Sequence, residues 1–372
     1  MTQPQPLLVA TRKGLFTVAR TRNDVWDIVG TDFLGDNVSM ALHDPRSGMQ
    51  FAALDHGHFG VKIHRRAASG TWQELAAPAY PAKPEGYEEN DMWGRPLPWS
   101  TVRVWALAAG GRDEPGVIWC GTIPGGLFKS ADHGANWQMM RALWDHPKRR
   151  QWMGGGADLP GLHHVVVDPR NSKHVWVAVS TGGIWHTPDG GESWSQRGDG
   201  MRAEYVPPEL INDPIAQDVH CLAQCAGAPH RMWVQHHNGI FVSSDEGRTF
   251  REITGVAPSA FGFAVVAHPT DPDTAWFVPE IKDEKRIPAG GKLVVTRTRD
   301  GGETFDILSQ GLPGKHAYDV VYRHAFTIDD TGTRLAAGST TGGLWVSEDQ
   351  GDSWACVSHT LPPVYAVRFV PG

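Results

Sequence analysis

The chain has 372 residues, enough for one large domain or two ordinary ones, and 41 acidic against 34 basic residues give a net charge of -7. No run of Lys or Arg gathers into a stripe, so the electrostatic footprint of a nucleic-acid or anionic-membrane partner is missing. Cys120, Cys221, Cys225 and Cys356 show no CxxC spacing and read as reduced, mostly buried thiols. No apolar run approaches a membrane span, and the opening MTQPQPLLVATRKGLF lacks the basic start and apolar stretch of a signal peptide, so a cytoplasmic protein is expected.

The first predicted strand is LLVAT (7–11), and a Gly-led strand closed by Trp follows twice, in GLFTVARTRNDVW (14–26) and GVKIHRRAASGTW (60–72). From residue 126 the pattern sharpens. GLFKS runs into SADHGANW (130–137), GIWHT into TPDGGESW (187–194), GIFVS into SSDEGRTF (243–250) and GLWVS into SEDQGDSW (347–354), while TRDGGETF occupies 298–305. Each such box has a hydroxyl residue, Asp two positions on, Gly at four and an aromatic at seven. The Asp bonds nearby backbone, the Gly supplies positive φ, and the aromatic folds over the hairpin. A second strand precedes each Gly-led one (VIWCGT, HVWVAVST, RMWVQHH, TAWFVP, RLAAGST), and a first strand precedes that, as in HHVVVDP (163–169) and FGFAVVAHP (261–269). Counting the two degraded copies, seven four-stranded units end at Trp26, Trp72, Trp137, Trp194, Phe250, Phe305 and Trp354. The chain begins on a second strand and ends on an orphan first strand, VYAVRFV (364–370). The prediction is an all-β, seven-bladed β-propeller of four-stranded antiparallel blades over 1–372, with strand 364–370 completing blade 1 and removing its exposed edges.

On these boxes the chain resembles, along its whole length, the Asp-box or BNR-repeat β-propellers, which include sialidases and related glycosidases. The resemblance implies that the boxes lie on the outer rim, away from the catalytic face. Fold alone names no reaction.

Eleven of the 16 tryptophans have a structural place in the repeat: box closers, second strands (Trp119, Trp176, Trp233, Trp276) and third strands (Trp185, Trp345). Trp105 lies on an inner strand. Trp93, Trp99 and Trp152 fall in two long insertions, 78–100 and 145–161, and Trp144 directly precedes the second; the insertions are expected on the pocket face as a lid or wall, or else the tryptophans as aromatic glue for the loops. Aligning the inner strands gives one ring of equivalent positions, Ser39, Arg103, His163, His220, Phe263, Tyr318 and Tyr365. A second ring, nearer the mouth, holds Asn37, Thr101, Gly161, Asp218, Phe261, His316 and Pro363. Loops at the same end add Arg12, Lys13, His56, His58, His236 and His237.

Such a lining suits an enzyme, a hydrolase or lyase with a glycosyl-hydrolase-like fold, working by acid-base or metal-assisted chemistry on a small polar ligand, acidic or sugar-like. In that reading His163 and His220 are general base or metal ligands, Tyr318 and Tyr365 donate protons or hydrogen bonds, Asp218 orients a histidine, and Arg103 holds an anionic group. Ser39, Asn37, His316, Trp93, Trp99, Trp144 and Trp152 supply binding contacts, and a divalent metal ion would take His163, His220 and His236. The alternative is a non-catalytic propeller that binds a ligand or protein. A true sialidase fits less well. That family uses an arginine triad, a Tyr–Glu pair and an early Arg-Ile-Pro, whereas Arg286-Ile287-Pro288 here falls in the sixth unit and reads as chance.

Overall fold

The computed structural model describes residues 5–68, 70–91, 93–155 and 158–370. Alternating Val, Ile, Trp and Phe between Gly-bearing turns form strands nearly throughout: seven antiparallel sheets, six of four strands and one of five. Their inner strands are Val364–Phe369, Val38–Asp44, Arg103–Ala109, Leu162–Val167, Val219–Gln224, Gly262–Ala267 and Phe326–Ile328. Each leads a meander of three further strands, which defines the class as a seven-bladed β-propeller. Val364–Phe369 pairs antiparallel with Leu7–Thr11, setting Phe369 opposite Leu7 and Val364 opposite Thr11, so the two ends of the chain share the first sheet as the orphan strand implied. The fifth strand of the sixth sheet, Lys285–Pro288, hairpins off Ala275–Lys282 and was not foreseen from the repeat.

Contacts divide the chain into two compact units, residues 1–45 with 220–372 and residues 46–219. In the first unit one core gathers Leu7, Val9, Trp276, Leu335, Trp345 and Val367, and another gathers Cys221, Trp233, Val265 and Phe277. The core of the second unit contains Trp119, Leu162, Val177 and Trp185. Trp119, Trp176, Trp185, Trp233, Trp276 and Trp345 are the largest fully buried side chains, as the repeat assigned them. Burial of a large apolar side chain stabilises by about 1.5–3 kcal/mol relative to exposure.

The recurring turn has one geometry in all five copies. In the first, Ser130 Oγ donates to Asp132 Oδ1 at 2.8 Å and accepts from Gly134 N at 2.8 Å, while Asn136 N donates to Asp132 Oδ1 at 2.8 Å. The same bonds recur around Asp189, Asp245, Asp300 and Asp349. The turn places two consecutive residues at positive φ, so His133, Glu246 and Gln350 adopt the left-handed region ahead of Gly134, Gly247 and Gly351.

The inner strands differ from the expected register in two sheets. Pairing skips one residue at Trp105, His163 and Tyr365, and again between Gly262 and Val265 where Phe263 lies, so a bulge recurs at one strand position. Counted by this bulge, Trp105 takes the place expected of Arg103, and Arg103 moves two residues toward the strand start. The seventh inner strand begins at Phe326, beyond the buried Val320 and Val321 that imitate a strand in the sequence, so His316 and Tyr318 precede it. His324 and Tyr322 occupy the positions expected of Tyr318 and His316.

Candidate functional site

Inner strand Val219–Gln224 and the turn after Met232–His236 belong to one sheet, the fifth. Period two along the strand puts Asp218 and His220 on the same side. The consecutive histidines of the turn part company: His236 accepts from Asn238 N through Nδ1 at 3.0 Å and packs its ring 5.3 Å from Phe241, inside the sheet layer. His237 turns the other way, with ring centroids 5.4 Å from His220 and 5.9 Å from Phe261. Ligating atoms of Asp218, His220 and His237 all lie within 4.8 Å of one another.

Aromatic groups frame this cluster. His220 stacks on Phe263 at 4.7 Å and meets Phe261 edge-on, and Tyr322 meets Phe263 edge-on at 5.3 Å. His220 Nδ1 lies 2.7 Å from the Gly262 carbonyl, which can only accept, so Nδ1 carries a hydrogen and Nε2 is the ring atom turned toward the cluster. Above Phe263 sits the Arg286 guanidinium, 5.3 Å from the ring centroid and held by Asp283 at 2.9 Å. The extra hairpin places it there. Tyr205 donates to the Ala216 carbonyl at 2.8 Å, and burial, followed by the charge of Asp218, pushes its phenol well above the ordinary range. Asp218 is 6% exposed and His220 3%. Two imidazoles and a carboxylate in such surroundings can hold and move a proton or coordinate a cation.

A second unusual carboxyl lies at the end of the second strand of the sixth sheet. Glu280 is fully buried, neither of its oxygens has a hydrogen-bonded partner among the described residues, and the Val321 amide nearby favours its charged form. Burial, with added repulsion from Asp319, pushes it up to about 8. Asp319 in turn accepts from Ser339 Oγ at 2.8 Å and from Thr341 Oγ1.

The other expected site residues have neighbours of their own. His163 is buried, its Nδ1 2.7 Å from His164 Nδ1 and its ring 5.4 Å from Trp105. Arg103 is largely exposed and pairs with Asp55 at 3.1 Å. Ser39 is buried, Asn37 and Tyr365 are half-buried, and His316 and Tyr318 are exposed. The insertions interlock through Arg149, which pairs with Glu89 at 2.6 Å, donates to Tyr87 Oη at 2.8 Å and lies 4.0 Å over Trp144. Trp99 packs 5.7 Å from Trp144 and donates to the Pro81 carbonyl at 2.6 Å, and Trp152 packs 5.8 Å from Trp185. Trp93 alone of the four is solvent-facing, 67% exposed. A groove of about 540 Å³ opens instead at the box end of the third and fourth sheets, lined by Asp132, Trp137, Arg141 and Glu192 among others. The sequence carried no signal for Tyr322 or Glu280. His237 was among the loop histidines expected at the pocket end, although His236 was the one assigned to a metal, and Arg286 was read as part of a chance tripeptide.

These features define a seven-bladed propeller with a histidine–carboxylate cluster at the start of one inner strand. The chain is 25% identical over 217 residues to a probable oligoxyloglucan-reducing end-specific xyloglucanase of Neosartorya fischeri, covering 56% of this chain and 24% of the relative. It is 24% identical over 249 residues to an oligoxyloglucan-reducing end-specific xyloglucanase of Emericella nidulans, covering 61% and 27%. The chain thus spans about a quarter of the length of these curated relatives. Among solved structures, the GH74 xyloglucanase of Xanthomonas campestris superposes with a TM-score of 0.62 at 16% identity, over 99% of this chain and 52% of that one, a likeness of fold. No family model matches.

Proposed function

We propose that the chain is a glycosyl-hydrolase-like enzyme that binds a small polar or carbohydrate ligand against the fifth and sixth sheets. The observation that carries this reading is the cluster of His220, His237 and Arg286 on Phe261, Phe263 and Tyr322. Arg286, exposed beside the cluster, suits hydroxyls or an anionic group, the His220 and His237 imidazoles suit proton transfer, and the buried Phe261 and Phe263 brace them from beneath. The partial similarity to xyloglucanases supports a carbohydrate as the class of ligand. The test is release of reducing ends from xyloglucan oligosaccharides and other β-glucans. Turnover that falls at least about a hundredfold in Arg286→Ala and His220→Ala agrees with the reading. Neither turnover nor saturable binding across the panel would sink it.

A second reading, a non-catalytic ligand- or protein-binding scaffold, is favoured by the near-complete burial of His220 and Asp218. Binding without turnover in the same screen selects it.

A further inference from the structure

We propose that Asp218, His220 and His237 form a binding site for a divalent first-row metal ion of the zinc type. Their ligating atoms already lie within 4.8 Å of one another. One carboxylate oxygen and two imidazole nitrogens make a donor set suited to zinc and its neighbours, whereas calcium and magnesium select oxygen ligands.

The hydrogen bonding supports the same assignment. A metal-binding histidine commonly donates its second ring N–H to a carbonyl or carboxylate, which fixes the tautomer and aims the bare nitrogen at the ion. The Gly262 carbonyl, 2.7 Å from Nδ1, does this for His220. In the turn, Asn238 N occupies His236 Nδ1, so only the second histidine of the pair is delivered to the cluster. That decides between the two imidazoles a sequence reading cannot separate. Asp218 and His220, two apart on one extended segment, present their ligands on one side without backbone strain. An ion here would also compensate the cost of a carboxylate that is 6% exposed. Three protein ligands leave a fourth position of a tetrahedral ion for water or a ligand oxygen.

This site deepens the enzymatic reading of the same cluster, but its test reads metal and not turnover, so the two can fail separately. The protein is stripped with a chelator, dialysed, and titrated with zinc by calorimetry and with cobalt(II) by visible absorption. One equivalent per chain is expected, with cobalt bands of tetrahedral strength. Asp218→Asn and His237→Ala should each weaken zinc binding at least about tenfold. His237 is half-buried, so its variant should fold, which circular dichroism checks. His230→Ala, on an exposed residue elsewhere in the fifth unit, should leave affinity unchanged. Absence of binding by the stripped wild type, or equal affinity in wild type and both ligand variants, overturns the site.

Discussion

Glu280 shows how an environment changes what a residue is. An exposed glutamate is charged at neutral pH, but burial and the neighbouring Asp319 push this one up to about 8. The folded state therefore holds a proton that the unfolded chain releases near the ordinary value of 4.5. Its contribution to stability is fully present below about pH 4.5 and is lost as pH rises through about 8. Urea midpoints measured at pH 5 and pH 8 should fall across that interval in the wild type, by an amount on the order of a few kcal/mol in unfolding free energy. Glu280→Gln, isosteric and neutral, should flatten the decline and be the more stable protein at pH 8. A wild type and variant with parallel pH profiles would place the ionised carboxylate in the fold.

At the scale of the element, the recurring turns act in the opposite sense. The Asn136 side chain and amide hold the Asp132 carboxyl down at about 2, and Thr304 does the same for Asp300. A carboxyl lowered by folding stabilises above its ordinary pKa and loses that contribution as pH falls through the folded value. Acid unfolding driven by the turns should therefore proceed between about pH 4 and pH 2. Asp189→Ala removes one acceptor of the Thr187 and Ser193 bonds and should cost about 1 kcal/mol, read by denaturant melting, without touching zinc or ligand binding. The interlocked insertions behave as a second element. Arg149, 4% exposed, is paired with Glu89, and its replacement by Met strands a carboxylate in the packed loops. Segments 78–100 and 145–161 should then be cut by protease much faster than in the wild type, while hydrogen exchange at the strand cores of Ile118–Ile123 and Val175–Val179 stays slow.

For the whole molecule, the first sheet carries the most consequence because it joins the two ends of the chain. Deleting residues 365–372 removes all but the first residue of Val364–Phe369 and exposes the backbone of Leu7–Thr11 as an unpaired edge. Aggregation, or a fall in melting temperature much larger than any single substitution above gives, is expected. A truncated chain that melts with the wild type would show that the terminal pairing contributes little.

The sequence by itself determined the number of sheets, the four-stranded meander they share, the return of 364–370 to the first strand, and the burial of Trp119, Trp176, Trp185, Trp233, Trp276 and Trp345. These follow from local periodicity repeated seven times, where each copy checks the others. Only the tertiary structure decided what lies at the strand starts. A bulge that shifts Arg103 out of place for Trp105 depends on pairing with a partner strand, which no local pattern records. The apolar Val320 and Val321 look like strand residues but fill a connection, so the ring position passes from Tyr318 to His324. His236 and His237 are chemically identical in sequence, and a single amide, Asn238 N, sends one into the sheet and leaves the other for the cluster with Asp218 and His220. Arg286 reaches Phe263 because a hairpin interrupts the sixth repeat, and Glu280 is pushed up because it is buried beside a connection distant in sequence that carries Asp319 and Val321. Repetition encodes the scaffold, whereas the cluster is assembled where the repeats depart from one another, and those departures acquire chemical meaning only when residues distant in sequence come into contact.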